Sequence, residues 1–126
     1  MRFVEDQFVV WGEYPRWSEE DTQIYHTPSG LEQYYCYWPI DASSATIARS
    51  FISMYRITGE RLYLEKAMAL IDTITRMQDP ETGLIPTFFM GENCSYGRFN
   101  YWINCQIATT SILLELAELT EKEGIE

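Results

Sequence analysis

The chain has 126 residues, the size of one domain with a modest hydrophobic core. Its 19 acidic and 9 basic residues give a formal net charge of -10, which repels phosphate backbones, so nucleic acid is excluded as an expected partner. No apolar run approaches the roughly 20 residues that a membrane span requires, so no membrane partner is expected either.

The first predicted element is a helix over residues 2–12. Phe3, Val4 and Phe8 recur at mostly helical spacing, and Gly12 would end the helix. No capping residue precedes it, which suggests that Met1 lies inside a helix of a longer ancestral domain. The acidic pair in "MRFVEDQFVV" interrupts the apolar stretch that a secretory signal needs, so we expect no signal peptide and a cytoplasmic chain, although a longer parent protein could be exported.

A long polar and aromatic connection is predicted next, from Glu13 to Pro39. Prolines and a glycine interrupt it at Pro15, Pro28 and Gly30. Loops of this length inside a compact domain are uncommon unless they carry function. The connection is therefore a first place to look for a site.

Two helices joined by a tight turn are predicted at residues 41–57 and 60–78. Pro39 restricts the backbone before the first of them, and Asp41 is placed to cap it. The turn "TGE" contains Gly59, which can adopt a positive φ. Because this turn is so short, the two helices are expected to be antiparallel neighbours.

The stretch "RMQDPETGLIPTFF" ends the second of these helices at Asp79-Pro80. It continues through a turn at Thr82-Gly83 into an extended piece over residues 84–89. A glycine-containing loop follows, and a last helix is predicted over residues 104–122. The helices are therefore separated by connections rich in aromatic residues.

One sequence pattern occurs twice. Trp38-Pro39-Ile40-Asp41 precedes one helix and Trp102-Ile103-Asn104 precedes another, with a period of roughly 63 residues that suits a helical hairpin plus a loop. With no strand predicted beyond one short extended piece, the fold class expected from the sequence is all-α, built from antiparallel helical hairpins.

The segments "YLEKAMALIDTITRMQDPETGLIPTFF" and "NYWINCQIATTSILLELAEL" together resemble the six-hairpin glycosidase superfamily of (α/α) toroids. In that superfamily an outer helix ends in a similar rim loop before the next inner helix. The resemblance covers residues 32–121 and implies an arc of an (α/α) toroid with long aromatic rim loops, as one partial domain over residues 1–126. Related toroids include hydrolases, polysaccharide lyases and sugar epimerases, so the fold alone does not fix the reaction.

The chain is long enough for only about two of the six hairpins that such a toroid contains. An isolated arc would leave apolar helix flanks exposed, at a cost of about 25 cal/mol per Å². We therefore expect either a homo-oligomer or a fragment of a longer toroid. The isolated chain is expected to be inactive.

Carboxylates are the first candidates for chemistry, because glycoside hydrolysis needs two of them on either side of one bond. Asp41, at the head of a predicted helix, and Glu32, a few residues earlier, are the predicted acid and base. The alternatives are a plain helix cap for Asp41 and a solvated loop carboxylate for Glu32.

Aromatic residues in the connections are the second signal, since their flat apolar faces suit sugar rings. Tyr37, Trp38 and Trp102 are the predicted substrate-binding platforms, with Asn104 as a predicted binding amide. The alternatives are that the rings pack under the loops and that Asn104 caps its helix. The same aromatic surface also fits a non-catalytic helical-repeat module that binds a protein or peptide instead of a saccharide.

Metal and cofactor chemistry is not expected. Cys36, Cys94 and Cys105 contain no Cys-x-x-Cys pair, and His26 is the one histidine, so the ligand pattern of a structural zinc site is missing from the sequence. A disulfide between two of the three cysteines stays open. His26 could serve as a general acid or base, although a lone loop histidine is more often a hydrogen-bonded surface residue.

Overall fold

The structure, a computed structural model, describes residues 1–14, 19–20, 24–33, 36–90 and 101–125. Within these ranges there are four helices and a three-stranded antiparallel sheet of order β1-β2-β3. The elements in chain order are α1 (Arg2–Phe8), β1 (Val9–Val10), β2 (Ser29–Gln33), β3 (Cys36–Pro39), α2 (Asp41–Thr58), α3 (Arg61–Met77) and α4 (Ile103–Glu123).

The all-α prediction is wrong, because the fold is mixed α/β, with 61% helix and 12% strand. The strands lie in the segment that was predicted to be a long loop and at the end of the helix predicted over residues 2–12. That helix ends at Phe8, and Val9 has extended backbone angles of φ -118° and ψ 129°. Val9 pairs with Gly30, so two β-branched residues continue the chain as a strand.

The hairpin of α2 and α3 lies within one residue of the predicted positions at every end. Gly59 adopts a φ of 73° at the turn, and its N–H donates to the Tyr55 carbonyl at 2.7 Å. The core lies between these two helices and α4. Its largest fully buried side chains on the hairpin include Phe51, Ile52, Leu64, Leu70 and Ile74.

Helices α2 and α4 lie side by side, and the N-terminal ends of both are hydrogen-bonded to Thr87. The backbone N–H of Asp41 donates to the Thr87 carbonyl at 3.0 Å, and the N–H of Trp102 donates to Thr87 Oγ1 at 3.2 Å. Farther along, Arg56 of α2 reaches Glu115 of α4. The two helices therefore run in the same direction away from Thr87.

A charged cluster joins α2 to α4. Glu115 accepts hydrogen bonds from Arg49 at 2.9 Å and from Arg56 at 2.7 Å. Burial alone would raise the pKa of Glu115, but the hydrogen bonds from the two guanidinium groups outweigh it, and the pKa is lowered. The stability that this carboxylate contributes is present above its ordinary pKa and is lost as the pH falls through its lowered value.

We expect Glu115→Ala to lower the free energy of unfolding by about 1–2 kcal/mol, because it leaves two guanidinium groups without their shared acceptor. Urea unfolding followed by circular dichroism at neutral pH measures the change. Glu65→Ala is the matched control, since Glu65 forms an exposed ion pair with Arg61 within α3. A Glu115 effect no larger than that of Glu65 would contradict the prediction.

The segment before the last helix extends the sheet region at residues 87–90. Phe88 forms an antiparallel bridge with Ile40, and the N–H of Phe89 donates to the Pro39 carbonyl at 2.9 Å. On its other side, the N–H of His26 donates to the Phe89 carbonyl at 2.9 Å. This segment thus binds the end of β3 to the chain that precedes β2.

Of the helices in the described ranges, none is both long and apolar enough to cross a bilayer.

Candidate functional site

Three aromatic rings meet where α2 and α4 begin, and we call Trp38, Phe88 and Trp102 the aromatic edge. The ring centroids of Trp38 and Phe88 are 5.3 Å apart at 89°, and those of Phe88 and Trp102 are 5.8 Å apart at 74°. Phe88 is buried, whereas Trp38 is 40% exposed and Trp102 is 50% exposed. Two partly exposed indoles therefore each pack on the same buried ring through an edge-to-face contact.

Local structure explains why these rings converge. Trp38 lies in β3, three residues before α2, and Trp102 is the N-cap residue of α4. Phe88 lies between them because its backbone pairs with Ile40. The repeated pattern of the sequence thus becomes two tryptophans that precede two parallel helices and share one phenylalanine.

Asp41, at the start of α2, is completely buried. It is the first helical residue, and Ile40 is the N-cap, so the predicted capping position of Asp41 is off by one. Its Oδ1 accepts the N–H of Ala42 at 2.6 Å, while Oδ2 has no hydrogen-bond partner within the described ranges.

Burial dominates the chemistry of this carboxyl. Desolvation raises the pKa of Asp41 to about 7, against the opposing effects of the Cys105 thiol and the Ala42 N–H. The Cys105 thiol lies close enough to the carboxyl to affect its pKa. Near neutral pH, Asp41 is thus divided between its neutral and ionised forms.

Cys105 is a buried free thiol on the first turn of α4. Burial raises the pKa of Cys105 to about 12, and the negative charge of the nearby Asp41 adds to the effect. The thiol therefore stays protonated, as expected for a small buried side chain that packs rather than reacts.

Glu32 lies in β2 at a β-bulge. Leu31 pairs with Pro39 and Gln33 with Cys36, so the backbone of Glu32 is opposite both Tyr37 and Trp38. The Glu32 side chain is exposed and lines a cavity of about 290 Å³ together with residues of α1 and α2.

The two predicted catalytic carboxyls have different surroundings. Asp41 has no exposed surface, and it is not among the residues that line the cavity beside Glu32. The aromatic edge, in contrast, brings two of the predicted platforms into one surface. The roles of Asp41 and Glu32 as acid and base stay a prediction.

The other predicted binding residues are placed as follows. Asn104 is exposed on the first turn of α4, where Trp102 and not Asn104 is the N-cap. Tyr37 has its backbone in β3, and its side chain lies outside the described part of the structure. The described ranges contain no group of three or more histidine, cysteine or acidic residues suited to a metal ion.

Two positioning residues escaped the sequence analysis. Thr87 is hydrogen-bonded to the N-terminal ends of both α2 and α4. Gln106 of α4 holds the backbone of Ile85: the Gln106 Oε1 accepts the Ile85 N–H at 3.1 Å, and the Gln106 Nε2 donates to the Ile85 carbonyl. For Thr87 the sequence signal was a polar residue within the apolar run "IPTFFM", and the structure buries it completely. A polar residue there needs partners, and it finds one at the head of α4.

Comparisons with protein families, with curated proteins and with solved structures find no match to this chain.

Proposed function

We propose that the aromatic edge binds a neutral saccharide. The observation that carries this proposal is the pair of half-exposed indoles, Trp38 and Trp102, which both pack edge-to-face on Phe88. Indole faces offer flat apolar area to the C–H surfaces of a sugar ring, and their N–H groups can bond its hydroxyls. Asn104, exposed on the first turn of α4, supplies an amide that can donate and accept hydrogen bonds.

The charge of the chain favours a neutral ligand over an anionic one. A net charge of -10 repels uronic acids and sulfated sugars through the field of the whole protein. A neutral oligosaccharide avoids this repulsion and depends mainly on stacking and hydrogen bonds. Its binding should therefore vary little with salt concentration.

The resemblance to six-hairpin glycosidases also supports a carbohydrate ligand. As a hydrolase, the chain would use Asp41 as the acid, since its pKa of about 7 leaves a proton available at neutral pH, and Glu32 as its partner. Substrate could reach Asp41 only after a rearrangement, because Asp41 is fully buried. Saccharide binding is therefore the function that we propose, and catalysis depends on this further step.

A second candidate is a non-catalytic module in which the aromatic edge binds a protein or peptide. The observation that favours it is the burial of Asp41, which leaves the aromatic edge without that carboxyl as an exposed acid. Aromatic surfaces of this kind also bind extended proline-rich peptides. The two candidates differ in the ligand that the same rings would select.

Tryptophan fluorescence and isothermal titration calorimetry with neutral hexasaccharides of glucose, xylose and mannose test the proposal. We expect saturable binding to at least one of them, and Trp102→Ala and Trp38→Ala should each weaken it about tenfold or more, which corresponds to about 1.4 kcal/mol. A matching acidic hexasaccharide should bind more weakly than the neutral sugar.

Trp11→Ala is the matched control, because Trp11 is 36% exposed but packs on Phe51 away from the aromatic edge. It should leave saccharide affinity unchanged. Equal losses for Trp11 and Trp102, or no binding of any saccharide at millimolar concentration, would contradict the proposal. A proline-rich peptide that binds in a Trp102-dependent manner while the sugars do not would favour the second candidate.

A further inference from the structure

Helix α4 carries apolar residues on two opposite faces. One face is buried in the core through Cys105, Thr109, Ile112 and Leu119. The other face is exposed and contains Ile103 at 71%, Ile107 at 61% and Leu114 at 60% exposure. A surface helix normally presents a polar face to water, so the second apolar face indicates a partner.

The exposed face has the spacing of a coiled-coil seam, and we call it the α4 seam. Its five positions are separated by alternating intervals of four and three residues, as in a heptad repeat, and all of them are exposed: Ile103, Ile107, Thr110, Leu114 and Ala117. A groove of about 380 Å³ follows its middle part. The α4 seam therefore fits another helix with the same repeat.

We infer that a second copy of this chain covers the α4 seam, with the two α4 helices antiparallel about a two-fold axis at Thr110. In this register Ile107 of each copy lies opposite Leu114 of the other. The two Thr110 side chains meet at the axis, where each hydroxyl can donate to or accept from the other. The seam is thus complementary to itself without any further chain.

Charge selects the antiparallel direction. The last turns of α4 carry Glu118 and Glu121, while its first turn contains no acidic residue. Antiparallel packing places Glu118 of one copy beside the N-terminal end of the other helix, where the dipole attracts negative charge. Parallel packing would instead set the acidic ends of both copies side by side.

The middle of the seam can be buried at little cost. Ser111, beside Thr110 in the groove, already accepts a hydrogen bond from Arg49 at 2.8 Å, so its hydroxyl keeps a partner when covered.

One helix pair buries less area than the roughly 800 Å² per partner of a standard interface. The association is therefore expected to be reversible and concentration-dependent. It does not rest on the proposed saccharide function.

Sedimentation velocity over a hundredfold range of protein concentration tests this inference. The wild-type chain should shift from one to two copies within that range, and Ile107→Glu and Leu114→Glu should each remove the shift by placing a charge in the seam. Ile57→Glu is the matched control, since Ile57 is 78% exposed at the end of α2 and lies outside the seam. It should dimerise as the wild type does.

Disulfide cross-linking tests the direction of packing. Under mild oxidation Thr110→Cys should form a covalent dimer well above the wild-type background of the native cysteines. Ile103→Cys should remain at that background, because antiparallel helices keep the two Ile103 positions far apart. A wild-type chain that is monomeric throughout, an Ile107→Glu variant that still dimerises, or efficient cross-linking of Ile103→Cys would overturn the inference.

Discussion

Asp41→Asn is expected to make the protein more stable above neutral pH and to remove a loss of stability that the wild-type chain undergoes as the pH rises. The folded state raises the pKa of Asp41 from 3.8 to about 7, so it binds the proton more tightly than the unfolded chain does. The stability linked to this proton is fully present below pH 3.8 and is lost as the pH rises to about 7. The full loss is about 4 kcal/mol, at 1.4 kcal/mol per pKa unit.

Asparagine has nearly the same shape and keeps the acceptor for the Ala42 N–H, but it cannot ionise. Urea unfolding of both proteins at pH 5 and pH 8 measures the effect. The advantage of Asp41→Asn over the wild type should grow by about 2–3 kcal/mol between these two pH values.

Asp6→Asn removes one exposed carboxyl from α1 and is the matched control for the change in net charge. It should reproduce the wild-type pH profile. If Asp41→Asn is instead less stable than the wild type at pH 8, the ionised carboxylate stabilises the fold, and our account of its burial is wrong.

Gly30→Ala is expected to destabilise the fold by about 2–4 kcal/mol, because β2 contacts the first turn of α2 directly at this residue. An added Cβ would lie 2.8 Å from both Ser43 C and Ser44 N, and these backbone atoms cannot move independently of the helix. The Gly30 N–H also donates to Ser44 Oγ at 2.8 Å. Separation of β2 from α2 to fit the methyl group would break that bond.

Thermal and urea unfolding of Gly30→Ala measure the loss. Gly12→Ala is the matched control, because a Cβ at Gly12 would contact nothing within 4 Å, and its effect should be close to zero. Equal stability of the two variants would show that β2 does not pack on α2 as closely as described.

Helices α2, α3 and α4 were predictable because their signals are local. Gly59 at a turn, Asp79-Pro80 after a helix and apolar periodicity depend on residues within a few positions of one another. The strands were not predictable in this way. Val9 becomes a strand residue because it pairs with Gly30, a residue far along the chain that no periodicity in residues 2–12 reveals.

The candidate site was predictable in part for the same reason. Trp38 and Trp102 were singled out from the repeated pattern, and both are partly exposed at one surface. Their connection through Phe88 depends on a backbone pairing between residues 40 and 88 that the sequence does not display. For Asp41 the residue type suggested a cap or an acid, but its burial depends on Thr87 and α4.

Thr87 fixes one helix head with its carbonyl and the other with its hydroxyl. The backbone segments that carry the two indoles are consequently held relative to each other before any ligand binds. A ligand that binds the aromatic edge would immobilise few side chains of the protein, so little conformational entropy would be lost on binding. The choice among ligands would then depend on the fixed positions of the rings and not on a rearrangement of the rings around the ligand.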